Sequence, residues 1–488
     1  MENFKQPVRH IKSVTPAAWV MLNMSSTFNQ TIHMGFVLSV FYFVIYYLTP
    51  TTIFGPLAAA HIELIIAALA LLVSLPALIK SFILKTPQTL ALIGMAIAVF
   101  LSVFIGMHWP GGALHVFLLY IPNAFAYFLV GLHCNTKRRL QVVVLALLFV
   151  CLFVIGHGAA ELFAGARTSP LLQQGLTESP YLLTQKSDSG ALFYRLRGLG
   201  EINDPNDFAQ LTVCVIPLLF IFWRSKKLVP NLLLVGLPAC ILLTGVFLTH
   251  SRGALIALIA ITVLAARRRI GTLPALAVAG GLFIAASALH FTGGREISAT
   301  AGSDRSGLWG VGLQMVKSHP LFGVGFGNFA DTAGLTAHNS VVVCAAELGL
   351  SGLFFWALFL FPTIRNALSI ASSAKVTEAG PLVPEQEPFP GQSTTIEVLD
   401  KEEINRLGRL LILSLTGFLV AALFLSRAYV LTLFLLGGMA EVVFQMALDR
   451  DMISPRLPLK RVLPYAGILA VGLVLFMYIM VRILNVMR

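Results

Sequence analysis

Long apolar runs recur along almost the whole chain and are separated by short polar connections. Each run holds roughly 18 to 25 residues, which as a helix rising 1.5 Å per residue crosses a hydrocarbon core about 30 Å thick. The pattern predicts an all-α, polytopic membrane protein with about 12 or 13 transmembrane helices. The predicted spans are 33–50, 58–80, 87–108, 112–133, 140–161, 207–223, 231–250, 252–267, 272–291, 339–362, 409–426, 429–447 and 462–481.

The basic residues orient these spans, because cytoplasmic loops of membrane proteins are enriched in Lys and Arg. With every basic cluster inside, two long hydrophilic segments fall on the outer face. A third segment is rich in Pro, Glu and Thr and is expected to be a flexible cytoplasmic insertion. In chain order we expect a cytoplasmic or interfacial segment at 1–32, transmembrane helices at 33–161, an outer loop at 162–206, transmembrane helices at 207–291, the main outer loop at 292–338, a transmembrane helix at 339–362, the insertion at 363–408 and transmembrane helices at 409–488.

Composition agrees with a membrane protein and narrows the chemistry. Hydrophobic residues make up 57% of the 488 residues and charged residues 11%, against roughly a quarter charged in an ordinary globular domain. The net charge of +12 comes from short clusters between apolar runs, so we interpret it as a topology signal and not as a nucleic-acid site. The five cysteines show no CxxC spacing, which indicates neither a metal site nor a disulfide framework.

Two arginines stand near the end of the first outer loop, in the sequence YRLRGLGEINDPNDFAQ. Arg195 and Arg197 precede a glycine-rich turn, and Asp204 or Asn206 is a candidate N-cap of the next helix beside a proline. A turn and a cap explain the Asn and Asp residues. They do not explain the two arginines.

A second polar cluster is LTHSRGALIALI, in which His250, Ser251 and Arg252 occupy the tight outer turn between two spans. An arginine at the edge of the hydrocarbon can extend to the lipid headgroups, which is one interpretation of Arg252. The other is that Arg252 binds an anion at the membrane surface, because the short turn keeps it close to the other outer loops.

The main outer loop holds a third cluster. Apolar residues at helical spacing predict an amphipathic helix over 304–317 with Asp304 and Arg305 at its start. The glycines of the GVGFG run at 323–327 permit a close backbone turn. This GxGxG follows no predicted strand and belongs to no βαβ unit, so it does not indicate a dinucleotide site.

A histidine, His338, follows these glycines and stands with Asn339 directly ahead of a span. It has three interpretations: a helix-start residue at the interface, a metal ligand or a general base. A metal site lacks a second His or carboxylate at i+3 or i+4, whereas a neutral imidazole accepts a proton at neutral pH. The arginines Arg197, Arg252 and Arg305 on the same face favour the general base.

Arginine suits planar, bidentate contacts with phosphate. Several arginines beside a base at the outer leaflet suggest transfer from a lipid-linked diphosphate: the arginines hold the diphosphate while His338 deprotonates an acceptor hydroxyl. Guanidinium groups would stabilise the leaving charge, so no metal or other cofactor is expected. The predicted catalytic residues are His338, Arg252 and Arg305. The predicted substrate-binding residues are Arg197, Arg195, Asn339, Asp304 and His250, with Asn339 orienting His338.

The order SRGALIAL, then DRSGLWGVGLQMVKSHPLFGVGFGNF, then AHNSVVVCAAELGLSGL resembles the O-antigen ligase and O-antigen polymerase superfamily over about residues 195–362. The resemblance implies a fold of the membrane glycosyltransferase C type and active-site loops that face the periplasm from the bacterial inner membrane. It also implies a ligase that moves a glycan from undecaprenyl diphosphate to a sugar hydroxyl of lipid A-core, with inversion and without a metal.

Residue roles follow from the same resemblance. The arginine of the SRG turn matches Arg252, the loop arginine ahead of the tryptophan matches Arg305, and the histidine of the HN pair matches His338. Arg197 matches only those family members that carry an NDPN-like segment. The chain departs from the family pattern in its 363–408 insertion and in the thirteenth span, and these departures leave the acceptor open.

Three other functions compete with the ligase, and one of them is a structural membrane scaffold in which the polar clusters only cap helices. A polymerase of O-antigen or exopolysaccharide repeat units would use the same motifs with a growing glycan as acceptor. A transporter or flippase of the lipid-linked glycan would place ionisable residues within the spans, and Glu63, Glu347 and Glu441 are the acidic residues found there. We expect Glu347 to orient a nearby arginine of the outer face instead.

Overall fold

The computed structural model describes residues 33–53, 62–79, 81–166, 179–187, 189–293, 303–372 and 394–486. The predicted segment 1–32 and the middle of the predicted insertion, 373–393, lie outside the described residues.

Helices form most of the described chain. They are α1 His33–Leu48, α2 Ile62–Ile79, α3 Pro87–Leu101, α4 Pro110–His133, α5 Lys137–Ala160, α6 Pro205–Leu218, α7 Leu237–Thr249, α8 Arg252–Ile270, α9 Thr272–Ala288, α10 Ser303–Ser318, α11 Phe329–Ala333, α12 Ser340–Ser372, α13 Thr394–Ala422, α14 Leu431–Leu448 and α15 Leu459–Val486. Three π-helical turns adjoin these helices, at Ser102–Gly106 after α3, Glu161–Ala166 after α5 and Leu232–Gly236 before α7. A 3-10 turn, Leu219–Phe222, follows α6. Short helical turns also occur at Pro50–Ile53, Phe82–Lys85, Gly200–Ile202 and Leu228–Asn231.

The predicted architecture is confirmed, since every predicted span coincides with a helix. Among the described residues, 10 helices are long and apolar enough to cross a membrane, and α1 and α9 are shorter apolar helices. The helix α8 fills the remaining predicted span and ends on Arg267, Arg268 and Arg269, which lower its mean hydropathy. The protein is therefore an all-α, multi-pass membrane protein.

Local sequence explains where several helices begin. Thr86 and Asp204 each accept a hydrogen bond from a backbone N–H of the first turn, and a proline follows each of them at the first helical position. Proline suits that position because its missing N–H would have had no helical partner. Of the two candidate caps of α6, the N-cap is therefore Asp204. Ser251 caps α8 in the same way through the N–H of Ala254.

The first outer loop contains a short β-hairpin that the sequence patterns did not predict. Strands β1 Leu182–Lys186 and β2 Leu192–Leu196 pair antiparallel, with Leu183 opposite Arg195. Five residues are too few to give a strong alternating signal beside the apolar runs of this chain. The hairpin makes Arg195 part of a strand and not of a loose turn.

The helices α12 and α13 extend further than the apolar runs that predicted them. They continue to Ser372 and begin at Thr394, so both ends of the segment expected to be a flexible insertion at 363–408 are helical. Hydropathy marks where a chain can cross hydrocarbon, but a helix satisfies its own backbone groups in water as well. Its ends therefore do not have to coincide with the membrane boundary.

A break inside α12 shapes the centre of the molecule. Gly349 has a non-helical conformation, with φ 67° and ψ −167°, and the backbone of the main outer loop packs against the opened turns. Hydrogen bonds join the two segments from Val324 N–H to Ala346 O (2.9 Å), from Gly325 N–H to Glu347 O (3.1 Å), from Leu350 N–H to Pro320 O (2.8 Å) and from Ser351 N–H to Leu321 O (3.3 Å). Residues 320–325, the start of the glycine-rich run and the residues ahead of it, therefore supply partners to the backbone groups of an interrupted membrane helix.

The acidic residues within the spans are engaged in local contacts. Glu347 accepts hydrogen bonds from the backbone N–H groups of Gly327 and Phe329, so the expected pairing with an arginine is wrong. Glu441 is fully buried and accepts from Arg456, Gln88 and Asn366, which ties α14 to its neighbours. Glu63 accepts from the hydroxyl of Thr51 at 2.6 Å.

Replacing Gly349 by Ala should destabilise the fold. A Cβ at this position would lie 2.5 Å from the carbonyl carbon and oxygen of Leu321, in a backbone region that only glycine adopts readily. The strain costs roughly 1–3 kcal/mol and the overpacking a similar amount. Thermal unfolding of the purified protein in detergent should therefore begin at a clearly lower temperature.

Two further glycines serve as controls. Gly327→Ala shares the positive φ (78°) but meets open space, so it should show only the strain. Gly310→Ala on α10 meets nothing within 4 Å and should leave unfolding unchanged or slightly raise its temperature. Equal unfolding of Gly349→Ala and the unchanged protein would contradict the packing described for this break.

Candidate active site

A polar cleft lies where the starts of α6 and α8, the start of α10 and the segment after α13 meet. Its volume is about 350 Å³ with the part open to solvent included, and its lining residues are Asn206, Ser251, Arg252, Gly253, Ala254, Arg305, Phe424 and Leu425. The structure thus brings two of the predicted catalytic residues, Arg252 and Arg305, to one cleft. They come from separate elements, since Arg252 begins α8 and Arg305 lies in the first turn of α10.

The electrostatics of this cleft favour an anion. Burial lowers the pKa of Arg305, and the positive charge of Arg252 lowers it further. Two guanidinium groups that repel each other at one cleft are stabilised by a bound negative charge between them. The N-terminal end of α8 adds the partial positive charge of its helix dipole, since Arg252, Gly253 and Ala254 of its first turn line the cleft.

His338 lies close to this cleft, in the segment that leads into α12. Its backbone has the left-handed φ of 49°, and its N–H donates to the hydroxyl of Ser426 at 2.8 Å. Burial lowers the pKa of His338, the charge of Arg305 lowers it further, and the carboxylate of Asp204 opposes both. The imidazole is therefore neutral at neutral pH and lies within electrostatic range of Arg305.

Asn339, which was predicted to bind substrate and to orient His338, lies directly ahead of α12. Asn339 is buried, and its side-chain oxygen accepts from the N–H groups of Val341 and Val342. It is thus the cap at the start of α12. This contact fixes the helix end directly after His338.

Arg195 is buried and holds three elements together. Its Nε donates to the carbonyl of Thr249 (2.8 Å), Nη1 to Gln185 (3.0 Å) and Nη2 to Asn206 (3.0 Å). These bonds join the hairpin to the end of α7 and the start of α6. Arg195 therefore lies behind the cleft and supports Asn206, which lines it.

Arg197 and His250 also lie outside the lining of the cleft. Arg197 donates to the carbonyl of Ser179 at 2.6 Å. His250, in the left-handed conformation with φ 51°, contacts the carbonyl of Phe291 at 2.8 Å through Nδ1 and packs edge-on against Phe193. Asp304 belongs to the first turn of α10, and its side chain lies outside the described residues.

The sequence patterns missed a group of residues after α13. Arg427 forms an ion pair with the buried Asp207 of α6, with distances of 2.7 Å from Nε and 2.6 Å from Nη2 to the same carboxylate oxygen. Ser426 precedes it and contacts His338. A signal was present, because Ser426 and Arg427 interrupt two long apolar runs just as Ser251 and Arg252 do.

The described residues include His, Cys, Asp and Glu side chains that could in principle bind a metal. No three His, Cys, Asp or Glu side chains there lie close enough together to hold a metal ion. The cationic groups of the cleft are guanidinium groups.

Part of the chain matches the model of a known protein family. Residues 237–357 match the O-antigen ligase family, and this stretch contains Arg252, Arg305 and His338. The resemblance to the O-antigen ligase and O-antigen polymerase superfamily is therefore confirmed. Arg195 and Arg197 precede the matched residues. A search of curated proteins found no match to the chain.

Replacing Arg195 by Met should destabilise the protein instead of weakening anion binding alone. The change removes three hydrogen bonds from a charged donor and leaves their acceptors without that partner, at a cost of about 2 to 4 kcal/mol. Thermal unfolding in detergent measures the loss. The exposed Lys317→Met on α10 is the matched control and should unfold like the unchanged protein. Normal unfolding of Arg195→Met together with lost pyrophosphate binding would instead support the predicted substrate-binding role.

Proposed function

We propose that this protein is an inner-membrane glycosyltransferase of the O-antigen ligase type. It moves a glycan from undecaprenyl diphosphate to an acceptor hydroxyl of lipid A-core at the periplasmic face, with inversion at the anomeric carbon and without a metal. The observation that carries the proposal is that Arg252 and Arg305 line one cleft beside His338. The match of residues 237–357 supports an activity of the ligase or polymerase type.

The arginines act on the donor. Arg252 and Arg305 bind the diphosphate, and their mutual repulsion decreases when an anion lies between them. As the bond from the anomeric carbon to the diphosphate oxygen breaks, the bonding electrons leave with the undecaprenyl diphosphate. The guanidinium groups stabilise this growing negative charge, which is a contribution made mainly in the transition state.

His338 acts on the acceptor. The acceptor oxygen attacks the anomeric carbon from the side opposite the diphosphate, and the neutral imidazole takes the hydroxyl proton. A lowered pKa keeps the imidazole unprotonated before the reaction. Asp204 is the nearby carboxylate whose charge favours the imidazolium that results. The proton then passes to water.

The transporter alternative has less support. Transport of a charged group across a bilayer is expected to use ionisable residues within the spans. Glu347 and Glu441 are instead engaged with backbone N–H groups and with Arg456. Between ligase and polymerase, the description of the matched family as an O-antigen ligase favours the ligase.

Transfer by purified protein tests the proposal. With an undecaprenyl-diphosphate-linked glycan and lipid A-core in liposomes that contain EDTA, we expect one glycan to be joined to each acceptor. His338→Ala should lower kcat at least 100-fold, because a positioned base contributes about 10² to 10⁴. His319→Ala, an exposed histidine on the same loop, should transfer at the normal rate.

Other products of the same assay would replace the proposal. A ladder of lengthening glycans on the donor lipid would identify a polymerase. Donor that crosses the bilayer without any glycosylated product would identify a transporter. Undiminished transfer by His338→Ala would reject the role of the histidine, and a requirement for added metal would reject catalysis by the arginines alone.

The pH dependence gives an independent test of the base. Because burial and Arg305 both lower the pKa of His338, kcat/KM should rise through an apparent pKa below the ordinary 6.5 and be level at neutral pH. Arg305→Gln should move this limb to higher pH, since it removes a repelling charge. Asp204→Asn should move it to lower pH, since it removes an attracting one. If neither change moves the rising limb of the kcat/KM profile, a group other than His338 titrates there.

A further inference from the structure

The segment that follows α13 contacts both halves of the candidate site. Phe424 and Leu425 line the cleft beside the two arginines. The next residue, Ser426, accepts a hydrogen bond from the backbone N–H of His338 at 2.8 Å. One short segment thus contributes to the wall of the anion cleft and also holds the backbone of the histidine.

Ser426 and its neighbours restrain the histidine segment at several points. The hydroxyl of Ser426 also accepts a hydrogen bond from that of Thr336. Ser340 donates to the carbonyl of Leu425 at 2.7 Å and accepts from the N–H of Arg427 at 3.0 Å. The two segments are therefore joined on both sides of His338.

The left-handed backbone of His338 makes this restraint important. A residue with a side chain rarely adopts φ near 49°, and such a conformation persists only where neighbouring contacts maintain it. The bond from His338 N–H to Ser426 is one such contact. Loss of this bond would remove one of the contacts that hold the backbone of His338 in this conformation.

The ion pair next to Ser426 joins this segment to α6, whose first turn lines the cleft. Arg427 binds Asp207, which follows Asn206, and Asn206 lines the cleft. The connections therefore run from the start of α6 through Asp207 and Arg427 to Ser426 and then to His338. Asp207, Arg427 and Ser426 thus connect His338 to the anion-binding wall, which is the side of the cleft formed by the start of α6.

We propose that Ser426 is a positioning residue for His338, and that the Asp207–Arg427 ion pair holds Ser426 in register with the anion-binding wall. The proposal rests on the transferase function proposed above. It adds a structural element that lies outside residues 237–357. Ser426 acts only through the histidine, since it orients the base and takes no part in proton transfer.

Kinetics of Ser426→Ala test this role. Misplacement of a base by about 1 Å costs on the order of 100-fold in rate, so we expect kcat to fall roughly 10- to 100-fold with the KM for the lipid-linked donor unchanged. Ser426→Thr keeps the hydroxyl and should restore most of the rate. Ser414→Ala is the matched control, because it removes a buried serine hydroxyl bond on the preceding helix α13, to the carbonyl of Cys214, without contact to His338.

The reactivity of His338 gives a readout that does not depend on transfer. Diethyl pyrocarbonate modifies neutral imidazole, and mass spectrometry of peptides reports each histidine separately. In Ser426→Ala the modification rate of His338 should rise several-fold, because the ring becomes more exposed. The rate at the exposed His319 should be the same in both proteins.

A double-mutant cycle tests the ion pair. If Asp207 acts through Ser426, Asp207→Asn should lower kcat by itself but cause little further loss in the Ser426→Ala background. If the kcat losses of the two single variants multiply fully in the double variant, Asp207 does not act through Ser426. Normal kcat in Ser426→Ala, or an equal loss in Ser414→Ala, would overturn the role of Ser426.

The two proposals fail in different ways. If the unchanged protein transfers no glycan, the proposed function is wrong, and the modification rates still decide whether Ser426 positions His338. If the unchanged protein is active and Ser426→Ala changes neither kcat nor the modification rate of His338, only the positioning role is wrong.

Discussion

A polar backbone group without a partner is costly in hydrocarbon, and this chain interrupts a long buried helix at Gly349. The interruption persists because the main outer loop supplies the missing partners with its own N–H and C=O groups. The loop approaches the helix backbone closely enough that a Cβ at Gly349 would meet it. The position of the loop, and with it the segment that carries His338, depends on this exchange of hydrogen bonds.

The candidate site brings like charges close together. Arg252 lowers the pKa of Arg305, and Arg305 in turn lowers that of His338. A fold tolerates such repulsion where surrounding contacts fix the segments. Here the indole N–H of Trp309 on α10 donates a hydrogen bond of 2.9 Å to the carbonyl of Ala337, next to His338. The repulsion between these groups lowers the stability of the fold locally. Such a cationic cleft beside a neutral histidine is typical of functional sites.

Several arginines near the candidate site differ in burial and in their partners. Arg195 is 4% exposed and directs its donors at three acceptors of the protein, whereas Arg305 is half-buried at the lining of the cleft. Arg427 is matched by Asp207. In the sequence all of them are arginines next to an apolar run, so charge and position alone could not rank them.

The sequence by itself determined the apolar helices and the all-α class, and it indicated Arg252, Arg305 and His338 as candidate site residues, because hydropathy, charge and short motifs are local properties of the chain. It did not predict the hairpin of β1 and β2, the break at Gly349 or the bond between His338 and Ser426. Those features depend on contacts between distant segments: Arg427 and Asp207 are 220 residues apart, and His338 and Ser426 are 88 apart. Only the tertiary structure decides such pairings, because their free energy arises when the helices pack and bring the groups within hydrogen-bonding distance.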